Sequence, residues 1–270
     1  MIHNLFPNEV YLEPNEHKYF DSEGNQYISF SALYGKLVKK FDAVGISKLV
    51  SKHGDKSASE IRQGWEQTAV NGSRVDAALE RYAQTATLDE SDEDLRTCVV
   101  DVLYKYRNYS KTFEQGIPYS KKYRVAGSWD KLSLTSNRKD SKFVLSDFKC
   151  FVKGYDSLFT VSGQPFLNAP FEHLSNTKFT KISLQLSYYS HLFEELTGRK
   201  CEKVFIDLIT PVFDSNNKLI SYKNEVVPTM YLKNDIKILL ETFQDEIKDM
   251  LDNTVKADFV DVSADDEEIF

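Results

Sequence analysis

Asp130, Asp147 and Lys149 have the side-chain types and the spacing to act together on a phosphate ester. They lie in the stretch 125–149, VAGSWDKLSLTSNRKDSKFVLSDFK. Hard divalent cations take oxygen ligands, and Mg2+ commonly holds one or two carboxylates together with waters and substrate phosphate. An adjacent ammonium can orient or deprotonate an attacking water and offset charge developing on the phosphate. The chemistry open to such a set is hydrolysis of a phosphodiester assisted by Mg2+ or Mn2+. A D-x-K triplet alone is common, and a surface hairpin with scattered charges would also account for it.

Bringing the three groups together requires a sheet. Residues 125–134 loosely alternate apolar and polar side chains, as a strand does, and carry Asp130. Residues 135–141, rich in Ser, Asn, Asp and Lys, read as a hairpin connector, and 143–148 as the returning strand. Side chains alternate along a strand, so Asp147 and Lys149 share a face and an antiparallel partner can bring Asp130 beside them. Cys150 follows directly, but no histidine base is provided for it, so a packed thiol is expected.

Helices must flank that sheet. Residues 58–69 have helical periodicity through Ile61, Trp65 and Ala69, Asn71-Gly72 predicts a break, and a second helix follows over 73–85. Asp76 and Glu80 lie four apart along one edge of that helix, where a solvated face is the alternative to a role at the site. Residues 91–113 read as a helix capped by Ser91, with Asp92, Glu93 and Asp94 suited to its first turn. Glu114 follows at a strand entry, where it reads as a solvated strand end. A helix over 181–196, closed by Gly198, puts Gln185 and Tyr189 on one face.

Elsewhere, 17–30 reads as a hairpin leading into a helix capped by Ser31. Residues 203–210 form a strand ended by Pro211, and 219–227 a further strand. Residues 231–251 form one amphipathic helix with Ile236, Leu239, Leu240, Phe243, Ile247 and Leu251 on its buried stripe.

With 41% hydrophobic and 28% charged residues, the chain can bury a sizeable core. Residues 1–256 read as one domain and 257–270 as an acidic, disordered tail. No apolar run is long enough to span a bilayer, and the first ten residues lack the pattern of a secretory signal. Three well-separated cysteines, Cys98, Cys150 and Cys201, suit a reducing cytoplasm. The net charge of −7 argues against nucleic acid at first sight. Asp258, Asp261, Asp265, Asp266, Glu267 and Glu268 account for most of it, and the remainder is close to neutral.

G-S-W-D followed by D-x-K resembles the PD-(D/E)XK nuclease superfamily. H-x-Y, a short glycine turn and then S-F-S resemble the N-terminal hairpin of its phage-encoded and RecB-like members. G-S-R-V-D-x-x-L-E, from Gly72 to Glu80, is similar to their G-T-x-x-H-x-x-x-E helix. Asp76 stands where RecB-like nucleases place a metal-binding histidine. The run FLNAPFEHLSNTKFTKISLQLSYY is similar to a second motif of phage members, ending in the Q-x-x-x-Y helix.

The resemblance covers about 72–210 and implies an α/β fold: a restriction-endonuclease-like core with a mixed central sheet flanked by helices, plus an N-terminal hairpin and helical additions. It implies an Mg2+- or Mn2+-dependent deoxyribonuclease, an exonuclease of phage DNA replication, recombination or processing, working in the host cytoplasm. Asp130, Asp147 and the Phe148 carbonyl would hold metal, completed by Asp76 and Glu80. Glu114 falls where related nucleases often carry a glutamate, which gives it an outer-ligand reading beside the solvated one. Lys149 would orient the water, and Gln185 and Tyr189 would contact DNA. The Ile269-Phe270 end resembles the tip of single-strand-binding proteins and suggests a replication partner. Three cysteines exclude the four-cysteine iron–sulfur cluster that some relatives hold within one chain. A catalytically inactive nucleic-acid-binding module, and a protein-interaction module acting through the tail, are the competing readings.

Overall fold

The computed structural model describes residues 9–257 apart from 15, 40 and 139, with backbone alone for 162 and 253–257. The acidic segment 258–270 lies outside the described residues. The chain begins with β1 (Val10–Glu13), β2 (Lys18–Asp21) and β3 (Gln26–Ser29). Helices α1 (Phe30–Leu37), α2 (Ala43–Ser51), α3 (Ala58–Thr85) and α4 (Arg96–Tyr104) follow. Next come β4 (Lys111–Glu114), β5 (Tyr119–Ser120), β6 (Val125–Ala126), β7 (Lys131–Leu134) and β8 (Phe143–Cys150). The remainder is β9 (Val161–Phe166), β10 (Ser175–Thr177), α5 (Lys178–Thr197), β11 (Cys201–Phe213), β12 (Leu219–Pro228), α6 (Lys233–Thr242) and α7 (Gln244–Ala257).

The main sheet has the order β12-β11-β8-β7-β4. β8 runs parallel to β11 and antiparallel to β7, and the outer pairs are antiparallel, so the sheet is mixed. Helices flank it on both faces. The two-residue period of β8 sorts its side chains between them. Phe143 and Leu145 join Leu184, Tyr188 and Leu192 of α5 and Leu239 of α6. Val144 and Phe148 join Val75 and Leu79 of α3 and Val99 and Val102 of α4. Each such side chain, fully buried, contributes roughly 1.5–3 kcal/mol. A second sheet, β1-β2-β3-β6-β5, and the β9–β10 pair complete the strands. Among the described residues no helix is long and apolar enough to cross a membrane.

Several elements depart from the sequence expectation. Residues 125–134 are two strands: β6 pairs with β3 in the second sheet, and β7 pairs with β8 in the first. Asn71-Gly72 does not interrupt α3. Asn71 is buried and accepts from Gln67 Nε2 at 3.0 Å, and packing of this helix offsets the weak propensities. The 91–113 helix resolves into a 3-10 turn (Glu90–Leu95), α4, a second 3-10 turn (Lys105–Asn108) and β4. The first turn starts earlier than expected, with Asp89 at its N-cap position, so Ser91 lies inside it and does not cap, and Arg74 of α3 pairs with Asp92 and Asp94. Ser29, not Ser31, caps α1, accepting from the Ala32 amide at 3.2 Å.

Pro211 does not end β11. Ile209 O accepts from the Phe151 amide just past the end of β8. By alternation the edge where Pro211 lacks its N–H is therefore the one β8 has already left. The final helix divides at Phe243 into α6 and α7, and of the expected stripe Ile236, Leu239, Leu240, Phe243 and Ile247 are buried while Leu251 is half-buried. β1, β5, β9, β10 and α2 had no expectation attached.

Candidate active site

The site forms where the main sheet comes apart. β7 pairs with β8 only as far as Lys131 opposite Ser146. Before Lys131 the chain turns away through Gly127-Ser128-Trp129-Asp130 to join the other sheet. Two glycines make this departure possible. A Cβ at Gly127 would lie 2.2 Å from the Tyr189 ring, and one at Gly116 would lie 2.0 Å from the Trp129 ring. Trp129 is fully buried, edge-on to Phe193 at 5.3 Å between centroids.

Asp130 keeps a backbone bond on its other side, its carbonyl accepting from the Gln115 amide at 3.2 Å, and toward β8 its side chain takes the place of the missing strand. Its Oδ2 accepts from the Phe148 amide at 2.8 Å. In a strand the N–H and C=O of one residue point to the same edge, so the Phe148 carbonyl opens onto this gap too. Asp147 is buried and Lys149 only 28% exposed at its side chain, and Lys149 Nζ lies 2.6 Å from Asp147 Oδ2. The expected convergence of Asp130, Asp147 and Lys149 is present.

The electrostatics are those of a crowded carboxylate pair. Burial, then the Asp147 charge, pushes the Asp130 carboxyl well above the usual range, with Lys149 opposing. Two carboxylates this close coexist only when one is protonated or a cation lies between them. Burial alone would lower the Lys149 pKa. The charges of Asp147, Asp130 and Asp76 overcome it and hold the ammonium above its ordinary value.

Asp76 comes in from α3, over the end of β8. Solvent reaches it, yet its surroundings are dense enough to push its carboxyl up to about 6. Desolvation is the main cause, Lys149 opposes it and Asp147 adds to it. The carboxyl is therefore open to solvent on one side and crowded by the Lys149 and Asp147 charges on the other. Glu80, one turn further along α3, accepts from Gln84 Nε2 at 3.2 Å. No contact among the described residues brings it to Asp130, Asp147 or Lys149. Gly72 sits where a Cβ would be 3.9 Å from Cys150 Cβ. The Cys150 thiol is pushed up to about 12 by burial, then by Asp76, so it remains a packed thiol.

α5 supplies Gln185 and Tyr189. Gln185 Nε2 donates to Tyr189 Oη at 2.9 Å. Burial, then Tyr19, raises the Tyr189 phenol well above its usual range, Gln185 opposes, and Asp147 and Asp130 add to the rise. Tyr189 is thus a neutral hydroxyl beside the carboxylates. Glu114, an open possibility in the sequence, pairs with buried Lys131 across the β4–β7 register, which makes it a structural group.

Among the described residues no three His, Cys, Asp or Glu side chains converge closely enough to hold a metal ion between them. The expected completion of a metal shell by Asp76 and Glu80 is thus not seen among the described residues. Of the expected ligands only Asp130, Asp147 and the Phe148 carbonyl lie together, a set that would leave most positions of a hard cation to water and phosphate.

Sequence reading missed a polar network on the other face of the sheet. Asp207 is fully buried, ion-paired with Lys105 and accepting from the Tyr106 hydroxyl. Tyr106 Oη also lies 2.6 Å from Ser146 Oγ. The available signal was an aspartate within the apolar run of β11. Neither protein-family models nor curated protein sequences gave a match to this chain.

Proposed function

We propose that the chain is an Mg2+- or Mn2+-dependent DNA nuclease with a restriction-endonuclease-like core, acting as an exonuclease in phage DNA replication, recombination or processing. The observation that carries this reading is the convergence of Asp130, Asp147 and Lys149 at a gap between two sheets, with Gln185 and Tyr189 beside it. A bound divalent cation would neutralise phosphate charge and lower the pKa of a coordinated water.

The chain's own groups have separable tasks in this reading. Asp130 and Asp147 balance the cation's charge, and the Phe148 amide fixes the Asp130 rotamer. Lys149, kept as an ammonium by three carboxylates, presents positive charge to the attacking water and to the phosphate oxygens. Asp76 adds negative charge from α3. The Gln185 amide and the Tyr189 hydroxyl, already bonded to each other, offer hydrogen bonds to the DNA backbone. A binding-only protein would have no need to keep both Asp147 and Lys149 in contact.

Linear and circular DNA incubated with the protein and Mg2+ or Mn2+ test the reading. Loss of linear DNA with circular DNA spared is expected. Absence of any cleavage with either ion, or cleavage that survives exhaustive chelation, would overturn it.

A further inference from the structure

Immediately past Lys149 the chain builds an exposed aromatic platform that the site described above does not use. Phe151 donates its amide to Ile209 O at 2.9 Å, and Gly154, at φ +64, donates to Phe151 O at 2.8 Å. The turn that follows, Tyr155–Leu158, is tied by Ser157 Oγ donating to Gly154 O at 2.6 Å and pinned by fully buried Leu158. On this firm base Tyr155 and Phe159 remain 46% and 43% exposed. Their rings and that of Phe179 on α5 form a chain, with centroids 5.1 and 4.9 Å apart. Large aromatic side chains held open by a hydrogen-bonded turn mark a contact surface.

Cations border the platform. Lys178 Nζ lies 4.3 Å from the Phe151 ring centroid. Desolvation, then the nearby charge of Lys153, lowers the Lys178 pKa. Like charges held together at a surface are favourable when an anion sits between them. Asp156 on the same turn is exposed and removes part of the positive charge. Lys178, Lys181, Gln185 and Tyr189 follow one another at spacings of three and four, so they form a single stripe of α5. That stripe runs from the platform to the carboxylate pair. Phe151 is two strand residues from Lys149, roughly 7 Å.

We propose that Tyr155, Phe159 and Phe179, with Lys153 and Lys178, bind an unpaired single-stranded segment of the DNA substrate and lead it to Asp130, Asp147 and Lys149. Bases stack on the rings while phosphates follow the lysine stripe. Rings interleaved with cations suit a single strand, whose bases present free faces, and not a duplex, whose faces are already stacked. The assignment rests on the nuclease reading and adds to it the strandedness of the substrate.

The test compares the intact wild-type chain with Tyr155→Ala/Phe159→Ala. Affinities for fluorescent oligo(dT) and for a blunt duplex are measured in Ca2+ to suppress cleavage. Hydrolysis of bis(4-nitrophenyl) phosphate, too small to reach the platform, is measured in Mn2+. The double variant should lose oligo(dT) affinity at least about tenfold, with duplex affinity and diester hydrolysis unchanged. Phe159→Leu keeps bulk but lacks a ring face and should also lose affinity, whereas Tyr155→Phe/Phe159→Tyr should retain it. Lys153→Gln and Lys178→Gln should each reduce the salt slope of oligo(dT) binding by about 0.7.

Unchanged oligo(dT) affinity in the double variant, or equal losses for oligo(dT) and duplex, would overturn the platform while wild-type cleavage left the nuclease reading standing. A wild-type chain that hydrolyses neither DNA nor the small diester would remove both.

Discussion

The Phe148 amide donates to Asp130 Oδ2 at 2.8 Å across a gap where the neighbouring strand has left the sheet. A side chain thereby completes a ladder that the backbone abandons, and the same bond orients the carboxylate toward Asp147. Asparagine can accept this bond through its amide oxygen, so Asp130→Asn should fold.

The pH dependence of the variant follows from the raised Asp130 pKa. A carboxyl whose folded pKa lies above its unfolded value of about 3.9 costs no stability at lower pH. Its cost grows as pH rises toward the folded pKa and persists above it. Asp130→Asn should therefore raise the melting temperature of chelator-treated protein at pH 8 and leave it nearly unchanged at pH 3.5. The scale is about 2–4 °C per kcal/mol for a chain of this size. Mn2+ should stabilise wild type at pH 8 and not the variant. Equal melting temperatures of the two proteins at pH 8 would contradict the crowded-pair account.

Because the Asp76 carboxyl is pushed up to about 6, cation binding by the proposed nuclease should depend on pH. Below that value its proton removes negative charge from the site, and above it the carboxylate adds to the field on a cation. Calorimetric Mn2+ titrations from pH 5 to 8 should show wild-type affinity rising through pH 6. In Asp76→Ala the part of that rise near pH 6 should shrink, with the contribution of Asp130 remaining, and cleavage should fall sharply. Asp76→His, whose imidazole is largely neutral above pH 7, should not restore cleavage if Asp76 acts by its charge. Recovery with a preference for softer ions would make it a ligand instead. Near-normal cleavage by Asp76→Ala would return the residue to a solvated helix edge.

Gly127 is required by contact, since a Cβ there would lie 2.2 Å from the Tyr189 ring. Gly127→Ala should cost about 1–3 kcal/mol of stability by overpacking and displace Tyr189 from the site. Tyr189→Phe keeps the ring and loses only the hydroxyl, so it should melt close to wild type while cleaving more slowly. Urea unfolding and cleavage assays separate the two. A Gly127→Ala protein as stable and as active as wild type would refute the close approach.

Behind the sheet, Tyr106→Phe would take a hydrogen bond from buried Asp207 and from Ser146. Leaving such groups short of a partner costs about 1–3 kcal/mol. A lower urea midpoint with unchanged DNA affinity is expected. A change in DNA affinity at unaltered stability would mean that this network serves the site directly.

The sequence carried the site better than the elements that hold it. Asp147 and Lys149 share a face because strand alternation is a two-residue rule that no packing alters. Gln185 and Tyr189 meet because helical spacing is equally local. The split of 125–134 between two sheets was hidden. It depends on Tyr189 and Trp129 packing against Gly127 and Gly116, and those contacts join residues distant in the chain. Asn71-Gly72 suggested a helix end by propensity, but contacts along α3 outweighed it. Asp92 and Glu93 do sit in a first turn, but of a 3-10 helix that starts at Glu90, and the pairing of Asp92 and Asp94 with Arg74 joins residues distant in the chain. Glu114 was ambiguous until the register placed Lys131 opposite it.

The separation of roles between Asp147 and Lys149 tests the central claim most directly. Single-turnover cleavage of labelled linear DNA and Mn2+ binding are measured on wild type, Asp147→Asn and Lys149→Ala, with DNA affinity taken in Ca2+. Asp147→Asn should lose metal affinity, because an amide cannot balance a divalent charge. Lys149→Ala should bind Mn2+ and DNA nearly as wild type does and cleave about 10²–10³ times more slowly. Cleavage by Lys149→Ala at the wild-type rate, or loss of metal as complete as in Asp147→Asn, would contradict the account.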